Sequence, residues 1–164
     1  MRFGTRTELG RRWTAHGVHP TGEQLIGYDY GYLSVAVNPC TGELFALLLP
    51  DMRRESFQAF LDELAKFLDG KMSVRLITDG AAAHRSPRLK VAEQLTIEHL
   101  PPYSPELNPV ERLFKELRRE LKNRVFESLE AVEEAVIEAV KPYLKDGSRV
   151  KKLTFYGWLH TAPT

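Results

Sequence analysis

Apolar positions in this chain change period along its length, and the changes mark out elements. Leu33-Ser34-Val35-Ala36-Val37 alternates as a half-buried strand does, and Glu43 to Leu49 reads as a buried strand. Between them Asn38-Pro39-Cys40-Thr41-Gly42 is composed of turn formers, so the pattern predicts a hairpin. Phe57, Phe60, Leu61, Leu64, Phe67 and Leu68 then recur at helical spacing, with Gly70 as a stop. Val74 to Asp79 reads as a strand ending on a carboxylate. Ser86 and Pro87 suit the start of a short helix through about Gln94, and Thr96 to Leu100 is another short strand. A stiff stretch, Pro101-Pro102-Tyr103-Ser104-Pro105, precedes a long helix that starts at Asn108-Pro109. Its apolar stripe is Val110, Leu113, Phe114, Leu117 and Leu121. A second amphipathic helix uses Leu129, Val132, Val136, Val140 and Leu144. Residues 1–23 are polar, with Trp13 and Pro20 as expected anchors of an irregular segment. A hairpin, then alternating helix and strand, then helices predicts an α/β fold, a mixed sheet covered by helices.

Composition narrows this without changing it. The 164 residues suffice for one ordinary core, so residues 1–164 are expected to form one domain with a C-terminal tail from about residue 146. Hydrophobic residues make up 43% and charged residues 27%, which is globular composition rather than that of a disordered tail. A net charge of +1 announces no nucleic-acid binder by itself, because clustering rather than the sum is diagnostic. The one cysteine, Cys40, excludes an intramolecular disulfide framework and a multi-thiolate zinc site. No apolar region follows the basic residues near Met1, and the longest apolar run is Leu44 to Leu49. Neither a signal peptide nor a membrane span is predicted, and a cytoplasmic setting is expected.

Two carboxylates stand out by position. Asp79 ends a strand, where α/β proteins place ligands, and Glu111 lies in the first turn of a helix beside the apolar stripe. Brought together they suit hard cations such as Mg²⁺ or Mn²⁺, and a pair of such ions serves phosphodiester chemistry. Plainer readings compete at both positions. Asp79-Gly80 is a common turn, and Asn108 with Glu111 fits a capping box. Spacing alone leaves both open. Glu111, Lys115, Arg118 and Lys122 share one helical face, which is either a solvated face with a Glu111–Lys115 pair or a basic track for DNA phosphates. Arg85, Arg88 and Lys90 would extend such a track. His84 either positions a phosphate or water beside Asp79 or simply packs. Lys145 to Lys152 reads as a phosphate contact or a soluble linker, Tyr103 as a packing residue rather than a base-stacking platform, and Phe155, Tyr156 and Trp158 as a C-terminal anchor or part of a subunit contact.

Two longer motifs carry a resemblance. Residues 76–86, Leu-Ile-Thr-Asp-Gly-Ala-Ala-Ala-His-Arg-Ser, resemble the second-aspartate motif of mariner-type bacterial insertion-sequence transposases, where the aspartate is usually followed by Asn-Ala-Pro and a histidine. Residues 100–115, Leu-Pro-Pro-Tyr-Ser-Pro-Glu-Leu-Asn-Pro-Val-Glu-Arg-Leu-Phe-Lys, resemble that family's third-carboxylate motif almost letter for letter. Gly10-Arg11-Arg12-Trp13 and Asn38 to Glu43 are similar to the family as well. The resemblance implies a ribonuclease-H-like mixed sheet flanked by helices and a DDE domain that cleaves and transfers DNA strands. It makes Asp79 and Glu111 the second and third catalytic carboxylates and ligands of Mg²⁺ or Mn²⁺. His84, Arg85, Lys115, Arg118 and Lys122 become candidate DNA contacts. The implied partners are element ends, target DNA and a second copy in a homodimer, with no membrane and no small-molecule substrate.

Gly80, Ala82 and Phe114 depart from the family's usual Asn, Pro and Trp. The family's first aspartate lies on the first strand, in an Asp-Glu pair shortly before a segment resembling Arg2-Phe3-Gly4. This chain starts at Met1, so the first catalytic aspartate is expected to be absent and the first strand largely missing; neither Asp29 nor Asp51 matches the motif. The empty position in the sheet predicts that residues 2–7 are drawn into it or that two chains associate there. Two further readings stay open: a catalytically dead remnant that self-associates or binds DNA weakly, and a stand-alone ribonuclease-H-like nuclease.

Overall fold

In a computed structural model that describes residues 1–69 and 73–157, strand β2 (Tyr30–Val37) and strand β3 (Leu44–Leu49) form the expected antiparallel hairpin, with Val37 opposite Leu44 and Tyr32 opposite Leu49. Asn38 builds the turn: its side-chain oxygen accepts from the backbone N–H groups of Cys40 and Thr41 at 3.0 and 3.2 Å. Gly42 has φ +83°, and a Cβ there would stand 2.1 Å from the Gly147 carbonyl oxygen, so no other residue fits without displacing the backbone.

Strand β1 (Arg2–Gly4) pairs antiparallel along the first half of β2, with Arg2 opposite Tyr32. Beyond it residues 5–29 form an irregular excursion tied at its base, where Thr5 N–H donates to the Asp29 carbonyl and Thr7 N–H to the Leu25 carbonyl. Thr5 and Thr7 are the buried anchors of this segment. Trp13, expected to anchor it, is fully exposed at 103%.

Helix α1 (Arg54–Phe67) buries Phe57, Phe60, Leu61 and Leu64, the face its period predicts; Gly70, its expected stop, lies outside the described residues. Strand β4 (Val74–Thr78) pairs parallel with strand β5 (Leu95–His99). The helix expected over residues 86–94 does not form. Gln58 of α1 instead donates to the Lys90 carbonyl and accepts from the Lys90 N–H, both at 2.8 Å, which satisfies an extended backbone from outside. Leu89 and Ala92 then pack on the α1 core.

A 3-10 turn (Pro105–Leu107) leads into helix α2 (Val110–Leu121), followed by helix α3 (Leu129–Lys145), which Ser128 caps by accepting from Ala131 N–H. Leu144, expected on the buried stripe of α3, is exposed, and Ala135 is buried instead. The run Lys145 to Lys152, read as a contact or linker, belongs mostly to helix α4 (Gly147–Thr154), which is part of the core. Asp146 caps it, and Val150 and Thr154 are completely buried. Its lysines project from a helix whose other face is apolar.

The two cores lie on opposite faces of β2, as alternation requires. Leu33, Val35 and Val37 face a core made with α2, α3 and α4, whereas Ala36 faces a core made with α1, β4 and β5. The strands, however, form two sheets, β1-β2-β3 and β4-β5, with no pairing between β2 and β4 among the described residues. Residues 2–4 take the edge of β2 opposite β3, at one end of that position, but residues 5–7 leave it and the rest is not filled. β1 ends its ladder at Met1, whose carbonyl accepts from Leu33 N–H at 2.8 Å, and a cleft of about 370 Å³ remains between Val35 and Ile77. The reason is geometric: β1 runs away from the cleft, so residues after Met1 cannot turn back into it.

Candidate functional site

Asp79 follows the last residue of β4, at the end of the cleft. Its Oδ1 accepts from Ala81 N–H at 3.1 Å and lies 2.6 Å from His84 Nδ1. The turn Ala81–His84 carries the imidazole back over the carboxylate, and the ring packs 4.1 Å from the Phe57 ring of α1, tilted 40° to it. His84 is 15% exposed and Asp79 59%, so the pair has one dry member and one wet one. The contact is close but poorly directed, because Nδ1 makes no well-angled hydrogen bond. The His84 ring first, and the Ala81 N–H after it, hold the Asp79 carboxyl below the usual carboxylate range against the opposing effect of burial. Asp79 thus shapes its own turn, and His84 faces it while packing against Phe57.

Glu111 sits in the first turn of α2, half exposed, with Oε2 3.8 Å from Arg118 Nη1. It makes no capping box; Asn108 alone serves the helix start, its Oδ1 accepting from Val110 N–H at 3.2 Å. The expected Glu111–Lys115 pair is replaced by Glu111–Arg118, which spans two turns of the same face. Lys115 and Lys122 stay exposed on that face. Arg85 lies over Gly80, where a Cβ would come within 2.6 Å of its guanidinium, so this arginine fills the space of the side chain that residue 80 lacks.

What links Asp79 and Glu111 is the amino end of the chain. The Met1 ammonium donates to the Leu33 carbonyl at 2.5 Å, and burial, with Arg118 adding to it, pushes its pKa down from 8.0 to about 6. Glu111 and Asp79 pull the other way, so the ammonium feels both carboxylates. Sequence reasoning missed this group because nothing in local pattern marks it. Among the described residues no set of three or more His, Cys, Asp and Glu side chains gathers closely enough to hold a metal ion.

Tyr103, expected to pack, is fully exposed at 101%, and its φ of +59° points it out of the Pro-rich loop between β5 and α2. Tyr156 does anchor the C-terminal segment: Arg112 lies 4.0 Å above its ring and its hydroxyl donates to the Glu106 carbonyl at 3.0 Å. Trp158 lies outside the described residues.

Residues 1–133, which include Asp79, Glu111 and their supports, match the DDE superfamily endonuclease family. The chain belongs to that family. The DDE domain is also 32% identical over 132 residues to the uncharacterised protein y4pE/y4sA of Sinorhizobium fredii (strain NBRC 101917 / NGR234), an alignment covering 80% of this chain and 98% of that protein. Its fold is similar to that of the mariner Mos1 paired-end complex with Mn, at a TM-score of 0.66 and 20% identity over 93% of this chain and 51% of that one. The Mos1 paired-end complex with Mg gives a TM-score of 0.65 at 20% identity, covering 93% and 50%. The architecture is therefore the ribonuclease-H-like mixed α/β fold with a short first strand, and the chain spans about half the length of the Mos1 chains it matches. No helix of the described residues is long and apolar enough to cross a membrane.

The donor chemistry of this DDE domain suits a hard divalent cation. Both side chains offer only oxygen, both reach solvent, and Mg²⁺ commonly takes one or two carboxylates while keeping water or phosphate in its other positions.

Proposed function

We propose that this DDE domain serves metal-dependent cleavage and transfer of DNA strands, with Asp79 and Glu111 as its two metal-binding carboxylates. One observation carries the reading: Asp79 after β4 and Val110, the residue before Glu111 on α2, line the same cleft together with Met1. Mg²⁺ or Mn²⁺ bound there would supply charge for a phosphodiester oxygen and acidify a nucleophilic hydroxyl. The chain's own groups do the positioning. Asp79 is ionised at neutral pH and aimed by its turn; His84, dry on Phe57, limits the directions its carboxylate takes. Arg118 screens Glu111 and shares its face with Lys115 and Lys122, a row suited to backbone phosphates, and Arg85 offers a further cation beside Gly80. DNA is the expected partner, in a homodimer and in a cytoplasmic setting.

A second reading is a chain inactive by itself. The Met1 ammonium opposes cation binding only below about pH 6, but among the described residues no third carboxylate gathers with the two, so metal is held weakly at any pH. A folded remnant that only self-associates or binds DNA weakly fits that state.

Calorimetric titration of Mn²⁺ into the chain, Asp79→Ala and Glu111→Ala separates the two. The first reading expects binding that both substitutions abolish, with stronger binding at pH 8 than at pH 6 as the ammonium discharges. Absent binding, or binding indifferent to both changes, removes the metal assignment and leaves the remnant.

A further inference from the structure

A second hollow, of about 30 Å³, lies where β1 and the chain after it meet the end of α2 and the start of α3. Phe3, Leu121 and Phe126, all buried, give it an apolar floor. Its rim is charged and lopsided. Arg2, Arg6, Arg118 and Arg124 line it against one carboxylate, Glu8. Guanidiniums brought together in this way repel one another, and a surface that needs only solvation has no reason to gather four of them.

The four are also poorly matched inside the chain. Among the described residues Arg2, Arg6 and Arg124 make no ion pair, and Arg118 reaches Glu111 at only 3.8 Å. Two of them are held on aromatic faces instead. The Arg2 guanidinium lies 4.4 Å from the centre of the Tyr30 ring, and that of Arg124 lies 4.9 Å from the centre of the Phe126 ring. A guanidinium stacked on a ring keeps its N–H edge free for an acceptor. The walls are tied to each other as well. Asn123, at φ +59°, donates its backbone N–H to the Glu8 carbonyl at 2.8 Å, and its side-chain oxygen accepts from Gly10 N–H at 3.0 Å. The segment that carries Arg6 is thereby joined to the one that carries Arg124, and the rim is fixed from both sides.

We propose that this hollow binds a phosphate group through Arg2, Arg6, Arg118 and Arg124. Size and chemistry select the ligand. The volume admits about two or three water-sized atoms, hence the oxygens of one phosphate and not a base or a sugar. Arginine forks match such oxygens in pairs, and the apolar floor keeps water from weakening the contact. A carboxylate ligand offers only two oxygens to four cations, and a metal ion is repelled. For the source of the phosphate the inference rests on the function proposed above, a DNA strand acted on at Asp79 and Glu111. Glu111 and Arg118 stand about 10 Å apart along α2, the rise of about three nucleotides of one strand. The hollow then holds a phosphate close to the reacting one and sets how far the strand is fed into the site. Free phosphate is the other source of the same chemistry.

Arginine side-chain N–H signals in the NMR spectrum read the site without metal, each assigned by its loss in a single Arg→Gln variant. The chain is titrated with inorganic phosphate and, separately, with a short DNA duplex of arbitrary sequence. Both are expected to shift the signals of all four arginines. Arg2→Gln combined with Arg124→Gln should weaken the duplex and lower the slope of log affinity against log salt by about 1, the share of one phosphate. Lys66→Gln combined with Lys141→Gln removes the same charge from exposed pairs elsewhere and should leave that slope alone. Amide protection at Leu113 and Leu117 of α2 reports that each variant folds. Arginine signals unmoved by either ligand, with duplex affinity indifferent to Arg2 and Arg124, overturn the hollow and leave the DNA reading standing. Equal loss in the lysine control overturns it too. Shifts with phosphate but no binding of the duplex keep the hollow and count against the DNA reading instead.

Discussion

The two cores of this domain are built from similar residues and finished to different degrees. On one face of β2, Leu113, Leu117, Val132, Val136, Val150 and Thr154 are at most 1% exposed, and three helices close over them. On the other face α1 packs as tightly at Leu61 and Leu64, but Phe67 and Ile77 remain about half exposed where the sheet is interrupted. Stability is therefore concentrated on the helical side. The interrupted side carries both catalytic candidates at its rim, Asp79 from β4 and Glu111 from the first turn of α2. The two candidate carboxylates thus stand at the junction of a finished half and an unfinished one.

The most severe way to break the contrast is to remove a buried side chain from each half. Leu117→Ala empties a fully buried site that α3 and α4 hold rigidly, and should cost about 3 kcal/mol in a urea melt. Ile77→Ala deletes atoms already in water on one side and should cost less than about 1 kcal/mol. Equal losses would mean that Ile77 is buried in solution and that the two halves do not differ.

The same contrast explains what could be read in the sequence. The periods of α1, α2 and α3 were legible because each buries a face against a neighbour that asks only for apolar bulk. So was the hairpin, whose turn is satisfied by Asn38 and Gly42 within the segment itself. The resemblance carried by residues 76–86 and 100–115 singled out Asp79 and Glu111 as candidates, but not their surroundings. Glu111 meets Arg118 rather than Lys115 because partner choice on an exposed face depends on rotamers, not on spacing. Trp13 and Tyr103 misled for one reason: large aromatic side chains suggest burial, and their irregular loops offer nothing to bury them. Residues 86–94 misled for another, since their backbone is satisfied by a residue about thirty positions away. Thr5 and Thr7 gave no signal because their burial follows from the return of the chain at Leu25 and Asp29.

A middle-sized effect comes from the charge at the mouth of the cleft. The Met1 ammonium has a pKa of 8.0 when exposed and about 6 when folded. Between those values the unfolded chain binds the proton that the folded chain releases, so stability rises with pH. The penalty is complete below pH 6 and gone above pH 8, on the order of 2 kcal/mol. Urea melts across this window, run on the chain and on an N-terminally acetylated form, isolate the group. The acetylated chain should lose most of the slope. Identical slopes would place the amino end in water and detach it from Asp79 and Glu111.

The smallest effect sharpens the comparison within the interrupted half. Gln58 holds residues 86–94 with two exposed hydrogen bonds to Lys90, each of 2.8 Å, and those residues cover the outer side of α1. Exposed neutral bonds compete with water, so Gln58→Ala should lower global stability by only about 1 kcal/mol. Its local effect should be larger. Without those bonds the Lys90 N–H loses its partner, and amide exchange there should approach that of an open chain while α2 amides keep their protection. Gln58→Glu keeps the acceptor for Lys90 N–H and sets a carboxylate against the Lys90 carbonyl, so it should release the segment nearly as well. If Lys90 stays protected in both variants, the segment is held by Leu89 and Ala92 packing alone, and this outer cover is as finished as the helical side.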